Sequence, residues 1–306
     1  MILTVCPNPC IDCTLEVGEF RVGRLNRIEN VIENMSGKAH NTAIGIKRLG
    51  GEVFATGFMF ENGGRKFARY LLSNGIDNEF VWNKGRIRIN YKIIDDKSMM
   101  TEINDRGEYV DEKNRRELLE TVSRYALNAE FVVISGSLPS GIDDAYYGEL
   151  VKAAGKSRVI VDAESDRLRA ALNAGVFMVK PNITELEEFN AERYDTFESM
   201  IAGAKKLIDL GAKYVMLSLG ADGAIYTDGV QSYYCKSENV AVNSTVGAGD
   251  SMVAAACLAI KDGLPMAEVL KRAVAAATAS VTTAGTNLFT KDKYDEILEK
   301  LTVIKL

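Results

Sequence analysis

Short apolar runs alternate along the chain with longer segments in which apolar residues recur three and four positions apart. The runs predict β-strands, and the longer recurrence predicts amphipathic or buried helices. The predicted strands are 2–5, 53–58, 131–135, 159–162, 177–180 and 214–219. The predicted helices are 114–127, 145–154, 197–210, 248–261 and 266–282. Such alternation is typical of a parallel sheet covered by helices.

A different pattern interrupts this alternation at 86–94 and 98–104, where apolar and polar residues alternate one by one. Asp95, Asp96 and Lys97 separate the two segments, which indicates an antiparallel hairpin that projects from the main sheet. The chain has no low-complexity linker, internal repeat or proline-rich boundary. We therefore expect one α/β domain over 1–306 with a small β appendage.

The composition excludes some classes of partner. The chain has 306 residues, and 37 basic side chains stand against 42 acidic ones, for a net charge of −5. General affinity for nucleic acid or anionic membranes comes from clustered Lys and Arg, so neither partner is expected. No run approaches the roughly 20 apolar residues of a membrane helix. The first residues lack the basic lead of a secretory signal, so we expect a soluble, cytoplasmic protein.

The cysteines and the histidine limit the possible chemistry. Five cysteines, an odd number, do not indicate a disulfide framework. Cys6, Cys10 and Cys13 have a spacing that could hold an iron–sulfur cluster, but small thiols at the end of a buried strand explain them better. His40 is the only histidine, which excludes any mechanism that needs two. We expect His40 at the surface near the start of a helix rather than in catalysis.

The strongest chemical signal is the segment 244–251, STVGAGDS, which opens the predicted helix 248–261. Its two glycines let backbone N–H groups converge, and the first amides of the helix add to them, so the segment predicts an anion site. Asp250 would repel a phosphate unless it took a proton from an attacking hydroxyl. In the alternative interpretation, Asp250 only caps the helix.

Residues 245–250, TVGAGD, resemble the second signature of the PfkB family of ribokinase-like carbohydrate kinases. The resemblance covers essentially the whole chain. It implies a three-layer sandwich with a mostly parallel central sheet and a projecting β-sheet lid, formed here by strands within roughly 10–35 and 86–106. It implies that Asp250 is the catalytic base and that the amides of Gly247, Ala248 and Gly249 stabilise the transferred phosphoryl group. It also implies ATP and Mg²⁺ as cofactors.

Two further segments resemble the nucleotide side of this family. Residues 180–185, KPNITE, match its Asn-x-x-Glu element, in which Asn182 and Glu185 would organise Mg²⁺, mostly through water. A helix cap by Asn182 or Thr184 is the alternative. Residues 218–223, SLGADG, match the strand end that approaches ATP, although alone they would be a hairpin turn. The implied ATP-binding residues are Lys180, Asn182, Ser218, Gly220, Gly223, Thr245, Gly247 and Gly249.

Two more segments resemble the sugar side. Residues 8–12, NPCID, match the segment whose Asp12 would bind sugar hydroxyls, and 37–41, GKAHN, match the first signature. In the first signature, Gly37, Lys38 and Asn41 would face the sugar or its phosphate. Ser36 and Ala39 stand where the family usually has glycine, and a positive φ at Ala39 would be strained. Phe60 and Asn62 also depart from the usual glycine and aspartate.

The predicted lid carries Arg86, Arg88, Asn90 and Lys92 two residues apart and so on one face. Such a face could be merely exposed, or it could bind a phosphate already on the sugar. The run resembles the lid of 1-phosphofructokinases, in which Arg88 and Asn90 would contact the substrate. Residues 135–141, SGSLPSG, resemble a turn that these kinases share with tagatose-6-phosphate kinases and add Ser137 to the sugar-binding residues.

The resemblance therefore implies ATP-dependent phosphorylation of a ketohexose phosphate, with D-fructose 1-phosphate favoured over tagatose 6-phosphate and fructose 6-phosphate. From another class, a non-catalytic phosphosugar or nucleotide sensor stays open because the first signature is altered. The presence of Asp250 and of the pair Asn182 and Glu185, which a kinase of this family needs, argues against that alternative. A homodimer through the lids is a further implication of the family resemblance.

Overall fold

The computed structural model describes residues 1–283 and 288–306. The strands are β1 (Ile2–Cys6), β2 (Cys10–Val17), β3 (Ile28–Ser36), β4 (Val53–Phe60), β5 (Asp77–Arg86), β6 (Arg88–Ile94), β7 (Met100–Ile103), β8 (Phe131–Ser135), β9 (Arg158–Asp162), β10 (Val176–Val179), β11 (Ala212–Ser218), β12 (Ala224–Thr227), β13 (Ser232–Cys235) and β14 (Val303–Lys305). The helices are α1 (Lys38–Arg48), α2 (Glu61–Ser73), α3 (Glu112–Ala126), α4 (Tyr146–Ala153), α5 (Ser165–Ala174), α6 (Ile183–Asn190), α7 (Phe197–Asp209), α8 (Ala248–Lys261), α9 (Met266–Ser280) and α10 (Lys291–Lys300).

Ten strands form one large sheet in the order β14-β13-β12-β11-β10-β9-β8-β1-β4-β5. Every neighbouring pair from β5 to β11 is parallel, and the pairs from β11 to β14 are antiparallel. The predicted mostly parallel sheet is therefore confirmed. The carboxyl ends of the parallel strands lie along one edge, which is where open α/β sheets bind ligands.

Helices cover both faces of this sheet because its strands are apolar on both sides. In β8, Phe131 and Val133 pack into one core, and Val132 and Ile134 pack into the other. Helices α1, α2, α8, α9 and α10 supply residues to the first core, and α3 to α7 supply the second. The three-layer sandwich is thus confirmed. Among the described helices, none has the length and apolar character needed to span a bilayer.

A second sheet, the lid, has four strands in the order β3-β2-β6-β7. Strands β6 and β7 are antiparallel, as predicted for the hairpin, and β6 lies parallel to β2. The prediction for Arg86 is wrong. Arg86 is the last residue of β5 in the large sheet, and only Arg88, Asn90 and Lys92 lie on lid strand β6. The apolar pattern continues through 86–94 without a break, so periodicity alone does not reveal the change of sheet.

The three clustered cysteines do not meet at one point. Cys6 ends β1, whereas Cys10 and Cys13 lie three residues apart on β2 and so point to opposite faces of the lid. All five cysteines of the chain are unpaired and buried. Burial raises the pKa of Cys6 to about 12, which disfavours the thiolate that a metal would need. This arrangement does not fit a shared iron–sulfur cluster.

Candidate functional site

The predicted catalytic residues lie at the carboxyl edge of the large sheet, where loops lead into α1 and α8. Gly37 and Gly247 are the N-cap residues, with φ of 130° and 83°, conformations that favour glycine. A Cβ on Gly37 would lie 2.9 Å from Cys6 Sγ, so the loop also needs glycine for space. Neither helix has a side-chain cap. In α1 the amides of Ala39 and His40 donate to the thiol of Cys6. Of the first three amides of α8, only that of Ala248 has a partner among the described residues, a long bond of 3.4 Å to the Thr245 carbonyl. The start of α8 is therefore the one that can bind an anion.

Asp250 lies in the first turn of α8 and is buried. Its Oδ2 accepts a hydrogen bond of 2.8 Å from Nδ2 of Asn41 on α1. Burial, and then the negative charge of Asp162, raise the pKa of Asp250 to about 6. The capping alternative does not hold, because Gly247 is the N-cap and no side chain caps α8. A carboxylate with this pKa is ionised at neutral pH and can still accept a proton.

Asp162, at the end of β9, contacts two lysines that are predicted on opposite sides of the site, one on the sugar side and one on the nucleotide side. Its Oδ1 lies 3.2 Å from Nζ of Lys38, and its Oδ2 lies 3.6 Å from Nζ of Lys180. Burial opposes ionisation of Asp162, but Lys180 and Lys38 outweigh it and keep its pKa below the ordinary value. Asp162 in turn raises the pKa of Lys38. Five residues, which we call the floor cluster, thus meet here: Lys38, Asn41, Asp162, Lys180 and Asp250.

Asp162 is not among the site residues predicted from the sequence. The available signal is its place at the end of the predicted strand 159–162, at the edge where parallel strands gather ligand-binding residues. Lys180, a predicted ATP-binding residue, lies against the start of α8. A Cβ on Gly249 would be 3.1 Å from its Nζ, so this glycine leaves room for the ammonium group beside the helix amides.

Asn182 and Glu185 form a reciprocal capping box at the start of α6. The Asn182 side chain accepts the backbone N–H of Glu185 at 2.9 Å, and the Glu185 carboxylate accepts the backbone N–H of Asn182 at 2.9 Å. The helix-cap interpretation of Asn182 is therefore confirmed. Each side chain keeps a capacity for further ligands. Burial, followed by the charge of Asp162, raises the pKa of Glu185.

The predicted nucleotide-side residues lie next to this capping box. Ser218 ends β11 and forms an isolated parallel bridge to the N-cap of α6. A 3-10 turn then joins β11 to the antiparallel β12, with positive φ at Gly220 and Gly223. A Cβ on Gly223 would be 2.0 Å from the Cys235 carbonyl oxygen, so only glycine fits. The carbonyl of Thr245 accepts the first amide of α8 at 3.4 Å.

The lid carries a second charged group on the face formed by β2 and β6. Asp12 Oδ1 accepts a hydrogen bond of 3.3 Å from Asn90, and its Oδ2 lies 3.3 Å from Nζ of Lys92. The register explains these contacts, since Asp12 pairs with Asn90 and Lys92 is two residues further along the same face. We call Asp12, Arg88, Asn90 and Lys92 the lid cluster.

Arg88 points its guanidinium group at backbone carbonyls. Nε and Nη2 donate to the carbonyl of Asn8 at 3.2 and 3.0 Å, and Nη1 donates to that of Asp105 at 3.1 Å. The neighbouring Arg86 instead forms an ion pair of 2.9 Å with the Asp105 carboxylate. The Ser137 hydroxyl accepts a bond of 3.1 Å from the Asn8 side chain, which places the predicted turn 135–141 beside the base of the lid.

The surface position predicted for His40 is wrong. His40 is fully buried on α1 and packs against Phe67 and Phe80, with ring centroids 5.0 and 5.5 Å away. In the described part of the chain, neither of its ring nitrogens has a hydrogen-bond partner. Burial lowers its pKa to about 3, so the ring is neutral. The error arises because α1 is covered on most sides, a property that one turn of sequence does not reveal.

The altered first signature does not strain the backbone. Gly37 supplies the left-handed conformation, and Ala39 lies inside α1 with helical geometry. The other departures lie where β4 meets α2. Phe60 is the buried N-cap of α2, and Asn62 has a non-helical ψ of 113° in the first turn. The expected difficulty at Ala39 is thus absent, since the helix begins one residue earlier.

Known proteins are similar to this chain in sequence and in fold. Residues 5–293 match the pfkB family of carbohydrate kinases. The 1-phosphofructokinase of Haemophilus influenzae is 31% identical over 96% of this chain and 97% of that protein. The tagatose-6-phosphate kinase of Staphylococcus epidermidis is 27% identical over 100% of both chains. Among solved structures, phosphofructokinase-2 from Escherichia coli in complex with substrates and products has a TM-score of 0.90, 29% identity and coverage of 98% of each chain.

The family match extends over most of the chain and includes both the lid strands and the start of α8. The resemblance of the segment TVGAGD to this family is consistent with the match, and the structure places Asp250 of that segment, buried, in the first turn of α8. The chain therefore belongs to the pfkB family of carbohydrate kinases.

Proposed function

We propose that the chain, acting as one kinase domain over 1–306, transfers the γ-phosphoryl group of ATP to a hydroxyl of a ketohexose phosphate. D-fructose 1-phosphate is the favoured acceptor, and fructose 1,6-bisphosphate is then the product. The observation that carries the proposal is Asp250, a buried carboxylate with a pKa of about 6 at a glycine-rich helix start. Such a group can take a proton where a phosphoryl group is bound.

The transfer is an in-line displacement. The substrate hydroxyl oxygen forms a bond to the γ-phosphorus while the bond to the bridging oxygen breaks, and ADP leaves with that electron pair. Asp250 takes the hydroxyl proton, and Asn41 orients its carboxylate. The amides of Gly247, Ala248 and Gly249 stabilise the negative charge that develops on the phosphoryl group.

Mg²⁺ fits the side of the site that carries Asn182 and Glu185. Both residues offer oxygen ligands, which a hard cation prefers. The buried carboxylates of Asp162 and Asp250 and the half-buried carboxylate of Glu185 face only two lysines, so a further cation would be favourable. Among the described residues, no three His, Cys, Asp or Glu side chains gather as a direct cage, which favours binding through water and phosphate. When bound, Mg²⁺ would neutralise phosphate charge.

On the sugar side, Asp12 and Asn90 would bind sugar hydroxyls, with Gly37, Lys38 and Asn41 at the floor. Arg88 would bind the phosphate that the sugar already carries, next to Ser137. D-fructose 1-phosphate is favoured because several similar proteins are named 1-phosphofructokinases. Tagatose 6-phosphate and fructose 6-phosphate are the alternative acceptors. One similar protein is named a tagatose-6-phosphate kinase, and the structure of another, phosphofructokinase-2, was solved in complex with fructose 6-phosphate.

A homodimer through the lids and a cytoplasmic location complete the proposal. Apolar lid side chains with exposures of 40% to 54% support the dimer, namely Ile28, Val31, Ile32, Met100 and Ile103. Their burial by a second copy would remove apolar surface from water. Five unpaired cysteines support a reducing compartment.

The test is a set of initial rates of ADP release with MgATP and four acceptors: fructose 1-phosphate, fructose 6-phosphate, tagatose 6-phosphate and fructose. We expect the highest kcat/KM with fructose 1-phosphate. A higher value with unphosphorylated fructose would contradict the role given to Arg88. Tight binding of a phosphosugar with no ADP release above background would instead support the sensor alternative.

A further inference from the structure

The backbone of Asn8 holds the arginine that we assign to the sugar phosphate. Asn8 lies in the turn between β1 and β2 and is 1% exposed. Its carbonyl oxygen accepts two of the three hydrogen bonds of Arg88 described above. Arg88 has five N–H groups, so two remain to bind a ligand. Because its acceptors are neutral carbonyls and no ion-pair partner of Arg88 is found in the described residues, the guanidinium charge is not neutralised.

The Asn8 side chain holds the loop that supplies the other acceptor. Its Nδ2 lies 3.1 Å from the Arg106 carbonyl oxygen, 3.1 Å from Ser137 Oγ and 3.2 Å from the Leu138 carbonyl oxygen. Two N–H groups thus serve three acceptors on two loops. The Arg106 carbonyl belongs to the peptide directly after Asp105, whose carbonyl binds Arg88. Both anchors of Arg88 therefore depend on Asn8.

The loop also packs directly onto this side chain. A Cβ on Gly107 would lie 2.7 Å from Asn8 Oδ1, so Gly107 lets the loop reach Asn8. The Ser140 hydroxyl donates to the Gly107 carbonyl at 2.9 Å and ties the loop to the turn after β8. Within the described residues, Asn8 Oδ1 has no donor although it is buried. A buried polar atom without a hydrogen-bond partner costs free energy. The position of Asn8 Oδ1 is therefore fixed by the packing of the loop and not by a hydrogen bond to this oxygen.

We propose that Asn8 is a positioning residue that orients Arg88 and thereby sets the affinity and selectivity for the phosphate on the sugar. The proposal rests on the proposed function, because it gives Arg88 that phosphate as its ligand. Asn8 acts through Arg88 and the loop 105–107 and takes no part in proton transfer. A displacement of about 1 Å in a substrate-holding group can cost on the order of a hundredfold in rate.

The test compares Asn8→Ala and Asn8→Asp with the wild type. Both variants keep the backbone carbonyl and lose the Nδ2 donors, and Asn8→Asp also places a carboxylate near Arg88. We expect KM for the phosphosugar to rise about tenfold or more in Asn8→Ala and further in Asn8→Asp, with KM for ATP changed less than about twofold. The kcat/KM ratio of phosphorylated to plain fructose should fall. A loss of stability alone would not produce this selective change.

The matched control is Asn78→Ala. Asn78 also donates its side-chain amide to two backbone carbonyls, of Ala68 and Ile76, but it lies at the opposite end of β5 from Arg86. Its KM values should stay at those of the wild type. In an Arg88→Ala background, Asn8→Ala should have little further effect on KM, since both changes remove one interaction. If the two effects simply add, the proposal is overturned.

Calorimetric binding of fructose 1-phosphate without nucleotide separates this proposal from the proposed function. If the wild type binds the phosphosugar but transfers no phosphoryl group, the kinase proposal fails. The role of Asn8 is then decided by whether Asn8→Ala raises Kd about tenfold while Asn78→Ala does not. An unchanged Kd, or no binding by the wild type, refutes it. If Asn8→Ala does not fold, the near-isosteric Asn8→Asp provides the same comparison.

Discussion

The floor cluster and the lid cluster hold their charges in different ways. In the floor cluster, Asp162 pairs with Lys38 and Lys180. The carboxylate of Asp250 and that of Glu185, which adjoins the cluster at the start of α6, have only partial compensation. Negative charge is therefore in excess there. In the lid, the carboxylate of Asp12 pairs with Lys92, whereas Arg88, within the described part of the chain, donates only to neutral backbone carbonyls, so positive charge is in excess.

This difference matches the two charges that the proposed reaction brings to the site. The floor, with excess carboxylate, suits a proton and a divalent cation, and the lid suits an anion on the sugar. Burial makes both effects stronger, because the effective dielectric is low and solvent screening is weak. A net charge of −5 for the whole chain thus describes its surface and not this site.

The largest expected effect follows from Asp250→Asn in the floor. We expect kcat to fall by about 10²- to 10⁴-fold, the usual contribution of a general base, with little change in KM. Wild-type kcat/KM should fall below pH about 6, where Asp250 becomes protonated. Initial rates across pH 5 to 8 check both statements. A variant with near-normal rates would remove the base from the proposed function.

The same substitution should stabilise the fold above pH 6. The folded pKa of Asp250 is raised to about 6 from an ordinary value of 3.8, so its favourable contribution exists at low pH and is lost as pH rises through this range. Asp250→Asn removes the buried charge and should gain up to about 3 kcal/mol at pH 8. Denaturant unfolding of the two proteins measures the gain. The free energy of unfolding of the variant should exceed that of the wild type by more at pH 8 than at pH 5, and an equal difference at both pH values would contradict the prediction.

A smaller effect is expected from Arg88→Ala in the lid. Loss of a charge-assisted hydrogen bond costs about 1.5 to 3 kcal/mol, so kcat/KM for the phosphosugar should fall about 10- to 150-fold. The value for plain fructose should change little, because fructose has no phosphate. Arg124→Ala is the matched control, since Arg124 pairs with Glu79 near the start of β5, at the opposite end of that strand from the lid. An equal loss with both sugars would indicate general damage to the lid.

A gradual effect of pH on stability is expected from the helix that carries Lys38 and Asn41. The pKa of His40 is lowered to about 3 by burial, so an unfolded chain binds one more proton than the folded chain between pH 6.5 and about 3. Relative to His40→Leu, the wild type should lose up to about 1.4 kcal/mol of stability per pH unit on acidification through this window. Paired unfolding curves from pH 7 to 4.5 test this, and parallel curves would contradict it.

Local patterns predict much of the fold and part of the site. Apolar runs predict most strands of the large sheet, and the segment STVGAGDS predicts a glycine-rich helix start with Asp250 in its first turn. These features depend on residues close together in sequence, where spacing and backbone freedom decide the structure. The alternation across 86–94 also predicts the lid hairpin, but not that Arg86 belongs to β5.

By itself, the sequence determined the alternation of strands and helices, the glycine-rich start of α8 and the candidate base. Only the tertiary structure decided which charges meet. Lys38 and Asp162 are 124 residues apart, and Asn41 and Asp250 are 209 apart. It likewise decided that His40 is buried and that Asn8 holds Arg88. The physical reason is that pairing and burial depend on the packing of distant segments, which local spacing does not specify.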